Sequence, residues 1–167
     1  MIITPTLVIL LLLTFSLVFL FVKTIDKRKW LTFLLSLILT PITYFYIIYP
    51  LINIFSSYHH QKYFNSEAWT EAPQLRYEMS DNIMSSDTLI GATKNDVKQL
   101  LGTYEWLSWN DSIKDHDANK WNYALGLKPG ALNEQKECME LIFKNDKVIK
   151  INTYQEKITF DAKKQTK

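Results

Sequence analysis

The sequence predicts a membrane-embedded α-helical hairpin followed by a small α+β domain, with two helices packed on a three- to four-stranded antiparallel sheet. Three observations carry that prediction. Of the first 55 residues 37 are hydrophobic and only five are charged, whereas residues 56–167 carry 31 of the 36 charges. Two uncharged runs, about 2–22 and 30–54, flank a short basic segment. Beyond residue 100 the apolar spacing changes from helical to alternating. The first part is therefore matched to lipid and the second to water. The 167 residues leave room for one domain of roughly 100 residues behind the apolar part, which excludes a multidomain enzyme.

The run 2–22 would be about 31 Å long as a helix, enough to cross a bilayer. No basic residue precedes Ile2 and no Ala-x-Ala site follows, so this run is expected to be retained as a span rather than cleaved. The second run holds Pro41 in its middle and Pro50 near its end, and a kink is expected near Pro41. Lys23, Lys27, Arg28 and Lys29 crowd the turn 23–29, while the far flank offers only Lys62 and Arg76. The positive-inside rule then places the turn in the cytoplasm and the C-terminal domain outside. Tyr44, Tyr46 and Tyr49 at one end of the second run, and Trp30 at the other, match interfacial aromatic belts. Thr14, Ser16, Ser36, Thr40 and Thr43 are expected to bond their own helix backbone. With no ionisable side chain inside either span, transport is disfavoured.

Residues 56–68 are polar with interleaved aromatics and no clear period, and read as a juxtamembrane linker before a domain at 69–160. Pro73, then Leu75, Met79 and Ile83 at four-residue spacing, predict a helix over 73–85. Thr93 with Asp96 three residues on forms a capping signature. Val97, Leu100 and Leu101 follow it, and Gly102 is the stop. Strands are predicted around Tyr104, Trp106 and, after a slip, Trp109; around Trp121, Tyr123 and Leu125; around Met139, Leu141 and Phe143; and at 148–151 after the turn 144–147. The tail 161–167 is expected to fray.

Residues 56–167 carry fifteen basic and sixteen acidic residues, interleaved, which argues against nucleic acid as a partner. Cys138 is the only cysteine, so no intrachain disulfide or multi-cysteine metal site exists, and it is expected to pack as a small hydrophobe. Asp115-His116-Asp117-Ala118-Asn119 begins like a calcium loop. It continues with Lys120 where glycine belongs and ends on Gly126 where glutamate belongs, so a solvated loop is expected. The adjacent His59 and His60 read as interfacial residues, and His116 has no nucleophile attached by any motif. Asn110-Asp111-Ser112 matches a glycosylation acceptor, which matters only in a eukaryotic secretory route. No catalytic constellation, cofactor site or metal site is expected. Trp121 is expected in the core, and Trp106 and Trp109 are the candidates for an interaction surface.

The stretch 89–102 (Leu-Ile-Gly-Ala-Thr-Lys-Asn-Asp-Val-Lys-Gln-Leu-Leu-Gly), then Trp121-Asn122-Tyr123-Ala124-Leu125-Gly126, then Leu141-Ile142-Phe143-Lys144-Asn145-Asp146-Lys147-Val148, resembles the SmpA/OmlA domain family. That family includes the small lipoprotein of the outer-membrane β-barrel assembly machinery, and its helix–helix–three-strand fold is similar to that of the β-lactamase-inhibitor protein. The match covers about residues 75–155. Here a two-helix anchor stands where the lipoproteins have a lipid-attachment cysteine, and Thr103-Tyr104 follows the Leu-Gly motif where the family usually continues with proline. A helical hairpin normally resides in the cytoplasmic membrane, so the resemblance implies a multi-pass protein of the bacterial cytoplasmic membrane with an outward-facing protein-binding head and a partner in the envelope; the absence of catalytic spacing makes that head non-enzymatic. The alternatives are a structural membrane subunit acting through its hairpin, or an inhibitor or enzyme acting in the envelope.

Overall fold

The computed structural model describes residues 1–86 and 88–158; the tail 161–167, expected to fray, lies outside them. The chain divides into two compact units, residues 1–61 with 129–132, and residues 62–128 with the chain from 133 onward.

In the first unit α1 spans Pro5–Ile25, with Thr4 as its N-cap accepting from the Leu7 N–H at 3.3 Å and Pro5 at its first position. The second apolar helix runs from Lys29 to Phe55, as α2 (Lys29–Thr43), one π turn (Tyr44–Ile48) and α3 (Tyr49–Phe55). Both are long and apolar enough to cross a membrane. α1 reaches three residues beyond its expected end, so the turn shrinks to Asp26–Arg28 and Lys23 stands on the helix. Pro41 sits inside α2, and the irregularity comes one turn later. Pro41 and Pro50 each lack an N–H, and between them the Tyr49 N–H bonds the Tyr44 carbonyl, five residues back.

Thr32, Ser36 and Thr40 are buried at four-residue spacing on α2, as are Thr14, Val18 and Val22 on α1. Small side chains at this spacing let helix backbones approach closely. Thr14, Ser16, Ser36 and Thr40 each donate to the carbonyl four residues back, at 2.7–2.9 Å, as expected of hydroxyls inside a span. Tyr44 is buried: its hydroxyl meets His60 Nε2 at 3.0 Å, and the His60 ring stacks on Tyr49 at 4.1 Å. His59 turns instead to the Ser57 carbonyl.

The second unit begins at Lys62, inside the segment expected to be linker. Asn65 caps a short helix, α4 (Ser66–Glu71), by accepting from the Ala68 N–H at 2.8 Å, and Trp69 on it is wholly buried. The predicted helix over 73–85 resolves into a 3₁₀ turn, Pro73–Leu75, and α5 (Tyr77–Ser85), which buries Tyr77, Met79 and Ile83. α6 (Lys94–Leu101) opens on the full capping box. Thr93 Oγ1 accepts from the Asp96 N–H, and the Thr93 N–H and hydroxyl both donate to the Asp96 carboxylate. The side-chain and backbone bonds to Thr93 hold the Asp96 carboxyl below its ordinary value. Gly102, with φ +79°, ends it.

Four strands follow as an antiparallel meander in the order β1-β2-β3-β4: β1 (Trp106–Asn110), β2 (Asp115–Leu127), β3 (Gln135–Lys144) and β4 (Lys147–Lys157). β3 and β4 join through Asn145 and Asp146, both with positive φ, the conformation a two-residue hairpin turn requires. β2 starts six residues before its predicted first aromatic. The segment expected to be a loop, 115–119, is instead held in the sheet by pairing of Asp115 and His116 with Asn110 and Trp109. Leu107 pairs with Trp121 and Trp109 with His116, so β2 spends three more residues than β1 between these two pairs.

One face of the sheet carries the core. Trp121, Tyr123, Leu125, Met139, Leu141, Phe143 and Val148 pack with Trp69, Tyr77, Met79, Ile83, Val97 and Leu101 from the helices. This is the helical hairpin plus small α+β domain that the sequence predicts, with α4 added.

Candidate functional site

The opposite face of the sheet is built by cross-strand register. Trp106 pairs with Asn122, Asn122 with Glu140, and Glu140 with Asn152, which makes one row across all four strands. Ala124, Cys138 and Tyr154 make the next. These rows alternate with the core rows, so their side chains project away from the helices.

Their polar atoms bond one another in sequence. The Tyr154 hydroxyl donates to Asn122 Oδ1 at 2.8 Å, Asn122 Nδ2 to Ser108 Oγ at 2.9 Å, and Ser108 Oγ to Glu140 Oε1. Asn152 Nδ2 donates to the other Glu140 oxygen at 3.0 Å. Asn122 is fully buried, yet both ends of its amide are satisfied. A connected network of this kind rigidifies the surface it underlies.

Aromatic rings stand on this lattice. Trp106 is half-buried, with the Lys136 ammonium 4.7 Å above its ring, and the same ammonium pairs with Glu156 at 3.1 Å. Trp109 is 55% exposed, meets His116 edge to face at 5.5 Å and donates its indole N–H to Asp111 at 3.0 Å. A shallow depression of about 610 Å³ lies among Trp106, Trp109, His116, Glu140, Asn152, Tyr154 and Glu156. Trp106 and Trp109 are three apart and would fall on opposite faces of an unbroken strand. The register shift between Leu107 and Trp109 brings both to one depression.

The groups beside the depression are poorly disposed for nucleophilic chemistry. Burial pushes the Cys138 thiol, which is wholly inaccessible, up to about 11 from an ordinary value of 9.0. The Tyr154 phenol is likewise raised, first by burial and then by Cys138 and Glu156 beside it. Ser108 donates to Glu140, while His116 Nδ1 lies 3.1 Å from the Leu107 carbonyl, so serine and histidine are not coupled. Asp115 and Asp117 belong to β2, where Asp115 Oδ1 accepts from the His116 N–H and Asp117 takes the Asn119 N–H and the Asn110 amide. Among the described residues no group of three or more His, Cys, Asp or Glu is placed to hold a metal ion.

The sequence singled out Trp106 and Trp109 and missed Ser108, Asn122, Glu140, Asn152 and Tyr154. These lie 12 to 32 residues apart along their hydrogen bonds, and only the strand register brings them together. Lys23, Lys27, Arg28 and Lys29 stand where α1 gives way to α2 in the first unit. No family model, curated protein or solved structure matches the chain.

Proposed function

We propose that this chain is a two-pass membrane protein that presents a non-enzymatic protein-interaction domain on the extracytoplasmic side of the bacterial cytoplasmic membrane. The open sheet face carries the reading. It couples an exposed tryptophan and a half-buried one to a fully bonded polar floor, the combination of aromatic anchor and rigid support found at binding hot spots. The Lys136 ammonium, set over Trp106 and paired with Glu156, indicates the side chain such a surface takes: a lysine or arginine of an envelope protein, stacked on an indole and paired with Glu140 or Glu156. The resemblance to the SmpA/OmlA domain family belongs to this proposal and rests on the sequence stretches 89–102, 121–126 and 141–148.

Sidedness is tested by labelling single cysteines with an impermeant reagent in a Cys138→Ser background, on cells whose outer membrane, where present, is permeabilised. Ser57→Cys and Lys150→Cys are expected to label in such cells, and Thr24→Cys only after lysis. The reverse pattern puts the domain in the cytoplasm and removes the envelope partner.

The surface is tested at Trp109. Because this ring is exposed, Trp109→Ala is expected to change stability by no more than about 0.5 kcal/mol while weakening partner capture by about 2 kcal/mol or more. Photocrosslinking from position 109 in whole cells identifies the protein, and pull-down with the variant reads the loss. Undiminished capture by Trp109→Ala means that another surface, or the helical hairpin, makes the contact.

A further inference from the structure

The basic end of the helical hairpin has the makings of a ligand site of its own. Lys23, Lys27 and Lys29 line a recess of about 520 Å³ together with Phe19 and Thr32. Two helices contribute: Phe19 and Lys23 are one turn apart on α1, Lys29 opens α2, and Thr32 is buried one turn further along. Thr32 Oγ1 donates to the carbonyls of Asp26 and Arg28 at 2.9 and 3.0 Å, which pins the turn that carries Lys27.

Among the described residues the turn's single acid, Asp26, forms no ion pair with these lysines. Asp26 Oδ1 accepts from the Arg28 N–H at 2.7 Å, and among the described residues the ion pairs formed involve none of these three lysines. Arg28, the N-cap residue of α2, makes no side-chain cap bond, so the positive end of the helix dipole adds to the lysines. The floor is apolar at Phe19, and Leu20, Phe21 and Trp30 at the same end of the hairpin are 61%, 67% and 81% exposed. A basic rim over an apolar floor at the end of a spanning helix suits an amphiphile with an anionic head.

We propose that this recess binds the headgroup of an anionic phospholipid, with the acyl chains running along the exposed apolar surface beside Phe19. The inference rests on the reading of α1 and the helix Lys29–Phe55 as membrane spans. It goes beyond sidedness, since the positive-inside rule requires charge in the turn but not a recess that gathers it.

The test uses the full chain reconstituted in phosphatidylcholine vesicles that contain a minor fraction of spin-labelled phosphatidylglycerol or, in parallel, spin-labelled phosphatidylcholine. The motionally restricted fraction in the electron paramagnetic resonance spectrum reads association. Phosphatidylglycerol is expected to be preferred by about fivefold for each lysine engaged. Lys23→Gln, Lys27→Gln and Lys29→Gln combined are expected to abolish the preference, and the three Lys→Arg changes to keep it. Lys150→Gln, in the other unit, is expected to leave it unchanged.

Equal association of the two lipids, or a preference that survives the triple glutamine variant, overturns the proposal. Competition by inorganic phosphate as effective as that by the lipid also overturns it, and indicates a site for free anions. Carbonate extraction of the same vesicles separates the two possible failures. Protein that stays with the bilayer but shows no preference sinks the lipid site alone, whereas protein that is extracted sinks the membrane reading and the site with it.

Discussion

Gly126→Ala is expected to destabilise the second unit by about 4 kcal/mol or more, a large part of what a domain of this size has in total. Two costs coincide at this position. Gly126 has φ +97°, where a β-carbon crowds its own backbone at a cost of about 1–2 kcal/mol. A β-carbon there would also stand 2.1 Å from the Gln74 carbonyl oxygen and 2.6 Å from its carbon. Those are backbone atoms of the 3₁₀ turn leading into α5, so relief means moving that turn off β2. The register shift between Ala124 and Gly126 shows β2 already bending at this approach.

Gly102 separates the two costs. It has nearly the same departure from ordinary backbone, φ +79°, but nothing lies within 4 Å of an added β-carbon. Gly102→Ala is therefore the control for the conformational penalty alone, at about 1–2 kcal/mol. Urea unfolding of the full chain in detergent, followed by tryptophan emission, reads both, since four of the five tryptophans belong to the second unit. Equal losses for the two variants would mean that β2 and the 3₁₀ turn have room to part, and that the close approach at Gly126 is not what holds them in register.

Gly126 also marks the limit of what a sequence pattern conveys. The capping box at Thr93 and Asp96, the stop at Gly102 and the Asn145-Asp146 turn were legible because each is a local bond or a local backbone angle, complete within a few residues. The core strands were legible because alternation at Trp121, Tyr123 and Leu125 reports which face is buried. α4 was not, since its six residues are too few to show a period and only Trp69 on it is apolar and large. The first half of β2 was hidden for another reason. Asp115, His116 and Asp117 have low strand propensity, and β1 recruits them through backbone pairing that outweighs it. The candidate surface combines both difficulties. Trp106 and Trp109 are visible as large aromatics, but their common face depends on a register shift, and the lattice beneath them depends on partners brought in from three other strands.

Arg76→Met is expected to cost the second unit about 3 kcal/mol, and the reason is the number of groups one guanidinium satisfies. Arg76 is 7% exposed. Its Nε donates to the Trp69 carbonyl at 2.8 Å, and its Nη1 donates to the Ala124 carbonyl at 3.1 Å and to Glu105 Oε1 at 2.5 Å. The guanidinium carbon also lies 5.0 Å from the centre of the Trp69 ring. Glu105 completes the clamp by accepting the Ala124 N–H on its other oxygen at 3.2 Å. Methionine fills a similar volume but donates nothing, so two backbone carbonyls, in α4 and β2, lose their partner. Glu105→Gln, by contrast, retains an acceptor for the Ala124 N–H, and its side chain is 37% exposed, so a loss of about 1 kcal/mol is expected. The double variant discriminates between charge and hydrogen bonding. If the ion pair dominates, removing the second charge recovers most of the loss caused by the first. If the backbone carbonyls dominate, Arg76→Met costs nearly the same with glutamate or glutamine at 105, the outcome this geometry favours because only one of the three acceptors to which Arg76 donates is charged. A loss under about 1 kcal/mol for Arg76→Met would mean that water reaches those carbonyls, and that the clamp is not what joins α4 to β2.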